Sequence, residues 1–139
     1  MPIRCDIVSQ DRLVYQGEAD MVLLPGTAGE MGILPNHAPV LTVLQFGVVR
    51  VRLNGKEQFF TVAGGVAEVQ PDQVTVLADA AENVQEIDEQ RADAARSRAE
   101  QLLKEGVAGD PDAYLKIQAA LRRSNLRLDA VRRYRQNRH

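Results

Sequence analysis

Val48-Val49-Arg50-Val51-Arg52-Leu53-Asn54-Gly55-Lys56 sets the character of the first half of this chain. Val49, Val51 and Leu53 alternate with Val48, Arg50 and Arg52, the period-two pattern of a strand with one face on a core and one toward water. Asn54-Gly55 follows at once. Both residues tolerate positive φ, so the pair is a strong signal for a two-residue hairpin turn. Lys56 to Ala63 then reads as the returning strand.

Working outward, the same alternation marks short strands over Ile3–Ser9, Arg12–Gln16, Ala19–Leu24, Gly65–Gln70 and Gln73–Ala78. Gly17, Gly26, Gly64-Gly65 and Pro71-Asp72 punctuate them. Many short strands with a turn every eight to twelve residues predict a β-sandwich. The pattern changes near Glu86. Asp88 to Glu105 is rich in Ala, Glu, Arg, Gln and Leu and holds neither Gly nor Pro, which predicts a helix capped by Asp88. Ala92, Ala95, Ala99 and Leu102 fall on one face of it, and Gly106 and Gly109 supply the stop. Asp110-Pro111 restarts a second, longer helix with Asp at the N-cap and Pro at the first helical position. Its stripe is Tyr114, Ile117, Leu121, Ser124, Leu128 and Val131. A connection of about four residues makes the two helices antiparallel neighbours. The predicted fold class is α+β: an antiparallel β-sandwich over residues 1–85, then an antiparallel two-helix hairpin over 86–139. Alanine on the first helix buries little area, so the hairpin reads as one that can open and re-dock.

The 139 residues are 45% hydrophobic and 26% charged, as in a folded globular protein, with 4% aromatics and no Trp. The core must therefore be built from Val, Leu, Ile and Ala. No apolar run approaches the ~18 residues of a membrane span. Met1-Pro2-Ile3-Arg4-Cys5-Asp6 does not read as a signal peptide, so membrane association is expected through partners rather than by insertion. Cys5 is the only cysteine. Charge is asymmetric: residues 1–85 hold ten acids and five bases, residues 86–139 nine acids and twelve bases. Seven arginines and one acid follow Leu121. Such opposite signs suggest two modules with different partners. No catalytic constellation is visible, since His37 and His139 are the only histidines and no His/Cys cluster exists for a metal. No turnover is expected of this chain alone.

Three motifs carry a resemblance. Gly29-Glu30-Met31-Gly32-Ile33-Leu34-Pro35-Asn36-His37-Ala38-Pro39 is similar to the loop-and-strand segment of the epsilon subunits of F-type ATP synthases. Val66-Ala67-Glu68-Val69-Gln70-Pro71-Asp72-Gln73-Val74-Thr75-Val76-Leu77-Ala78, after Gly64-Gly65, resembles a second signature of that family. Ile87-Asp88-Glu89-Gln90-Arg91-Ala92 looks like the motif that opens its first C-terminal helix. The resemblance covers nearly the whole chain. It implies a non-catalytic central-stalk (rotor) subunit on the cytoplasmic face of a bacterial plasma membrane. Its sandwich would bind the gamma subunit and the polar loops of the c-ring, with Glu30 and His37 on contact positions. The plainer account of His37 is a surface histidine that satisfies a turn. The helices would lie folded or extend into the catalytic head, meeting beta and alpha subunits and blocking ATP hydrolysis.

Arg91 and Arg98 are seven apart and share a helix face; Arg123 and Arg127 are four apart and share another. If the hairpin closes, these pairs could form a cationic pocket suited to phosphate. By resemblance to family members whose folded hairpin binds ATP, the matching residues are Glu82, Ile87, Asp88, Arg91, Ala92, Arg98, Arg123 and Arg127. No cofactor is required; ATP would be a regulatory ligand. No P-loop is present, so binding would not mean hydrolysis. The alternative is a solvated face paired with Glu86, Asp93 or Glu100. The arginine-rich end, Arg122, Arg123, Arg127, Arg132, Arg133, Arg135 and Arg138, has three readings: contact with an acidic surface of the beta subunit, nucleic acid, or a solvated face. Nucleic acid is disfavoured because no aromatics interleave for stacking. Two other classes stay open, a free-standing nucleotide sensor and a general β-sandwich adaptor.

Overall fold

A computed structural model describes residues 1–10, 12–106 and 110–135. The chain divides after Gln85 into a unit of strands and a unit of helices.

The strand unit contains β1 (Ile3–Ser9), β2 (Arg12–Ala19), β3 (Met21–Gly26), β4 (Gly29–Ile33), β5 (Val40–Leu53), β6 (Lys56–Gln70), β7 (Gln73–Ala78) and β8 (Ala81–Asn83). They form one continuous sheet in the order β2-β1-β7-β6-β5-β3-β4, with β8 beside β6. All pairs are antiparallel except β1 with β7, which is parallel. The hairpin at Asn54-Gly55 forms as its sequence dictates: Leu53 pairs with Lys56, and the two turn residues have φ of 54° and 78°.

β5 and β6 are long because each serves both layers of the sandwich. The far half of β6 pairs with β7, while Phe60 to Val62 pairs with β8. Likewise Met21 to Leu23 of β3 pairs with Val51 and its neighbours in the second half of β5. The fold-over lies at Gly64 and Gly65, with φ of +87° and +128°. This corrects two sequence expectations. Gly64-Gly65 does not separate two strands, and Gly17 does not end one. β6 and β2 run through them, because a glycine can bend a strand as well as stop it.

Inward residues fill the core in the expected alternation. Ile3, Cys5 and Ile7 of β1 are fully buried, as are Val22 and Leu24 of β3, Phe60 and Val62 of β6, and Val74 and Val76 of β7. The rings of Tyr15 and Phe60 meet at 5.2 Å, tilted by 51°.

The helical unit begins with a 3-10 turn at Val84–Glu86, followed by α1 (Glu89–Glu105) and α2 (Pro111–Tyr134). Asp88 caps α1, its carboxylate accepting from the Arg91 N–H at 3.1 Å. Asp110 caps α2 by accepting from the N–H groups of Asp112 and Ala113. Gly106 ends α1 and donates to the Leu102 carbonyl; Gly109 lies outside the described residues. Ala92 and Ala99 are buried and Ala95 half-buried, but Leu102 is exposed, so the buried stripe of α1 is shorter than its spacing suggests. On α2, Ser124, Leu128 and Val131 are buried and Tyr114 is exposed. The two helices pack on each other.

The bend gives a direct test. A methyl group at Gly65 would sit 2.7 Å from the Ala78 Cα and closer still to the Leu77 carbonyl. At Gly55 it would meet nothing within 4 Å. Both glycines have positive φ, so Gly55→Ala should cost about 1 kcal/mol from backbone strain alone. Gly65→Ala should cost roughly 3 kcal/mol or more, because the β6–β7 ladder must also move. Urea unfolding of both variants checks the difference.

Cys5 supplies a second test. Burial, with the neighbouring Asp6 charge adding to it, pushes its thiol up to about 12. The unfolded thiol ionises near pH 8.5–9. Between those values the folded state holds a proton that the unfolded state has lost. Cys5 therefore favours folding below about pH 9 and loses that contribution as pH rises toward about 12. Cys5→Val should flatten the alkaline decline in urea midpoint, and the folded parent should resist thiol alkylation at pH 8.

Candidate functional site

Two surfaces, one in each unit, hold the features that could act on other molecules. The first follows from strand register. Val43 of β5 lies opposite Val66 of β6, Val66 opposite Leu77 of β7, Leu77 beside Val8 of β1, and Val8 opposite Leu13 of β2. Their neighbours in sequence, such as Ile7, Val76, Ala67 and Leu44, point into the core, so this row faces outward. Val43, Leu77 and Leu13 are 57%, 49% and 53% exposed. Five apolar side chains in register across five strands make a ridge about 19 Å long, at ~4.8 Å per strand. The adjacent row is polar: Gln16, Asp6, Thr75 and Glu68, ending on exposed Leu41. Asp6 is held in place by Arg4 at 3.4 Å and by the Gln73 amide at 3.3 Å. A contiguous apolar surface edged by polar groups is the ordinary form of a protein-docking face.

Glu30 lies on the edge strand β4, about half exposed, with its carboxylate 4.0 Å from Arg50. Arg50 is shared with Glu57 at 3.3 Å, and Glu57 also reaches Arg52 at 3.2 Å. His37 sits in the turn after β4. Its Nδ1 lies 2.7 Å from the Ala38 carbonyl and its N–H donates to the Leu34 carbonyl at 3.2 Å. Asn36 adopts φ of 68° and donates its N–H to the Pro71 carbonyl. The turn is thus fixed by its backbone, and the His37 ring takes part in fixing it.

The second surface is on the helices. Arg91 immediately precedes buried Ala92, Arg98 precedes buried Ala99, Arg123 precedes buried Ser124, and Arg127 precedes buried Leu128. In an antiparallel pair, positions at the same offset from the buried seam fall on the same flank. Seven residues of helix rise about 10 Å, a span a triphosphate can bridge. Arg91, Arg98 and Arg123 are exposed and Arg127 is half-buried. Of the acids named as alternative partners, Asp93 and Glu100 pair with Arg96 at 2.6 and 3.8 Å. Ile87 is buried, and its carbonyl accepts from the Arg135 guanidinium at 2.5 Å. Asp88 is occupied as the α1 cap. Glu82 is placed by β8 in the strand unit, opposite Thr61. Of the arginine-rich end, Arg122 and Arg132 are exposed and Arg133 pairs with Asp129 at 3.4 Å; Arg138 lies outside the described residues. The Arg96 pairs were legible from i,i+3 and i,i+4 spacing. The Arg135 bond, which spans 48 residues, had no local signal.

Among the described residues, no group of three His, Cys, Asp or Glu side chains could hold a metal, and no helix is long and apolar enough to cross a membrane.

Comparison with known proteins agrees with this division. Residues 2–84 match the family model for the ATP synthase delta/epsilon chain β-sandwich domain, and residues 85–132 the long α-helix domain of the same chain. The chain is 45% identical over 138 residues to the ATP synthase epsilon chain of Herpetosiphon aurantiacus, covering 99% of each. It is 44% identical over 134 residues to that of Alkalilimnicola ehrlichii, covering 96% of this chain and 94% of the other. In fold it is similar to a chain of the Euglena gracilis mitochondrial ATP synthase, with a TM-score of 0.75, 22% identity and coverage of 94% of this chain and 81% of that one. Both domains in order, and relatives this similar along their whole length, mean that the chain belongs to the ATP synthase delta/epsilon family, as a non-catalytic epsilon subunit.

Proposed function

We propose that this subunit works as part of the central stalk of a proton-driven ATP synthase. It would couple rotation to ATP synthesis on other subunits and restrain ATP hydrolysis through its C-terminal helices. The observation that carries the reading is the outward apolar row Val43–Val66–Leu77–Val8–Leu13. Its length of about 19 Å suits a partner helix of roughly 13 residues, and we assign it to the gamma subunit. One solved chain of similar fold, from the Tetrahymena thermophila mitochondrial ATP synthase, belongs to a central stalk and c-ring assembly; its TM-score is 0.56 and its identity 13%. Glu30 and the fixed turn at His37 would meet polar loops of the c-ring. The subunit would sit peripherally on the cytoplasmic face of a bacterial plasma membrane, held by those partners. Arg122, Arg132 and Arg133 would face acidic surfaces of beta and alpha subunits when the helices extend. A sheet that shares two strands between its layers is stiff, as a torque-bearing foot needs to be.

Replacing Leu77 by Glu puts a charge in the middle of the row. The isolated chain should lose less than about 1 kcal/mol, since Leu77 is already half exposed. Affinity for gamma should fall by about 30-fold or more, as expected when a central interface residue is lost. Leu102→Glu, at another exposed apolar residue, should bind as the parent does. A titration with gamma in which Leu77→Glu matches the parent would remove the basis for this docking face.

ATP is proposed as the regulatory ligand of the folded hairpin, with its phosphates between the Arg91/Arg98 and Arg123/Arg127 rows. Support comes from the common offset of all four arginines from the buried seam. Binding to one state shifts the population only by its differential affinity. ATP should therefore slow proteolysis of the hairpin in the parent. Arg91→Ala and Arg127→Ala should each raise the ATP concentration needed by about tenfold or more, and Arg133→Ala should not. Unchanged protection in both variants would end the nucleotide reading and leave the stalk reading standing.

A further inference from the structure

The arginines after Leu121 look alike in sequence, but the structure gives one of them a separate task. We propose that Arg135 is a latch that closes the mouth of the helical hairpin by bonding the end of α2 to the chain just before α1.

The Ile87 carbonyl is the first one ahead of the α1 ladder, which opens with the Asp88 carbonyl accepting from the Ala92 N–H at 3.0 Å. Ile87 is only 3% exposed, so its carbonyl has little water to turn to and needs a protein donor. The Arg135 guanidinium supplies it through Nη2 at 2.5 Å. The same residue is the C-cap of α2, where its own N–H donates to the Val131 carbonyl at 3.1 Å. One residue thus ends one helix and anchors to the entry of the other. The cation also lies at the C-terminal end of α2, where the helix dipole favours positive charge. Arg133, two residues earlier, has a purely local arrangement. It is well exposed and pairs with Asp129 one turn back on its own helix.

The contact closes a segment of 48 residues at the end opposite the interhelical connection. With the latch made, the last turn of α2, carrying Arg132 and Arg133, stays helical and in register with the first turn of α1. With it broken, that turn frays and its arginines are released. The latch is a property of the hairpin itself and does not rest on the stalk or nucleotide readings.

Amide hydrogen exchange on the full chain tests it. In Arg135→Gln, exchange should accelerate about tenfold, as expected for loss of one charged hydrogen bond. The acceleration should appear both at Arg91 and Ala92, whose N–H groups bond to Asp88, and over residues 132–134. Arg133→Gln removes the same charge from the same helix end and should change these rates by less than about twofold. Equal behaviour of the two variants, or no change in Arg135→Gln, overturns the latch and leaves a general charge effect. If Arg135→Gln melts the hairpin outright, Arg135→Lys, which keeps the charge and a donor, should restore the helices. Failure of lysine to restore any protection would also overturn the proposal.

Discussion

The strand unit depends on two strands changing layers without breaking. β5 and β6 pair with each other from Val40–Val69 to Leu53–Lys56, and this ladder is the spine shared by both halves of the sandwich. Along β6 the core residues are Phe60 and Val62 before the bend and Ala67 and Val69 after it. The inward parity therefore switches from even to odd across Gly64-Gly65. β5 does the same, with Leu44 on one side and Val49 and Val51 on the other. A side chain at Gly65 would run into the backbone of β7. The backbone there has room for a bend because it carries no Cβ, and the positive φ of both glycines absorbs the change of phase. Without the bend, one of the two halves would turn its apolar set to solvent.

The bend also fixes the outer surface. Once Ala67 and Val69 face inward, Val66 and Glu68 must face outward, and the registers of β7, β1 and β2 carry that choice across the layer. The apolar ridge and the polar row beside it are consequences of the phase that places the core. A surface built this way cannot be displaced without disturbing the core beneath it. That would suit the stalk contact proposed for it, which must keep its shape while force passes through.

The hairpin at Asn54-Gly55, both helix caps and the change of period at Glu86 were legible because each is a local event within a few residues. The continuity of β6 was not. A strand whose parity switches at a glycine pair loses its alternation there, and the pattern then looks like two strands and a turn. The apolar row was also hidden. Val8, Leu13, Val43, Val66 and Leu77 are scattered in sequence and become neighbours only through the registers of five strands. Leu102 failed for the opposite reason: helical spacing put it on the alanine face, but that face ceases to be buried after Ala99. The grouping of the helix arginines was half visible. Spacing gave two pairs, and burial then showed that all four share one offset from the seam.

Under the nucleotide reading proposed above, that shared offset would link closure of the hairpin to its charge. Alanine at positions 92 and 99 lets the helices approach but leaves little apolar area to hold them together. A long side chain one position before the seam can lay its methylene stem along that groove and keep its guanidinium at the rim. Arg91, Arg98, Arg123 and Arg127 all stand at such positions. In the nucleotide reading proposed above, their like charge would oppose closure, while their stems would favour it. A polyanion between the rows would cancel the repulsion and leave the covering intact, so it would favour the closed state without adding apolar contact. A seam of leucines would close with or without an anion. The weakness of the alanine seam is therefore what would let a bound anion tip the equilibrium proposed for the helical unit.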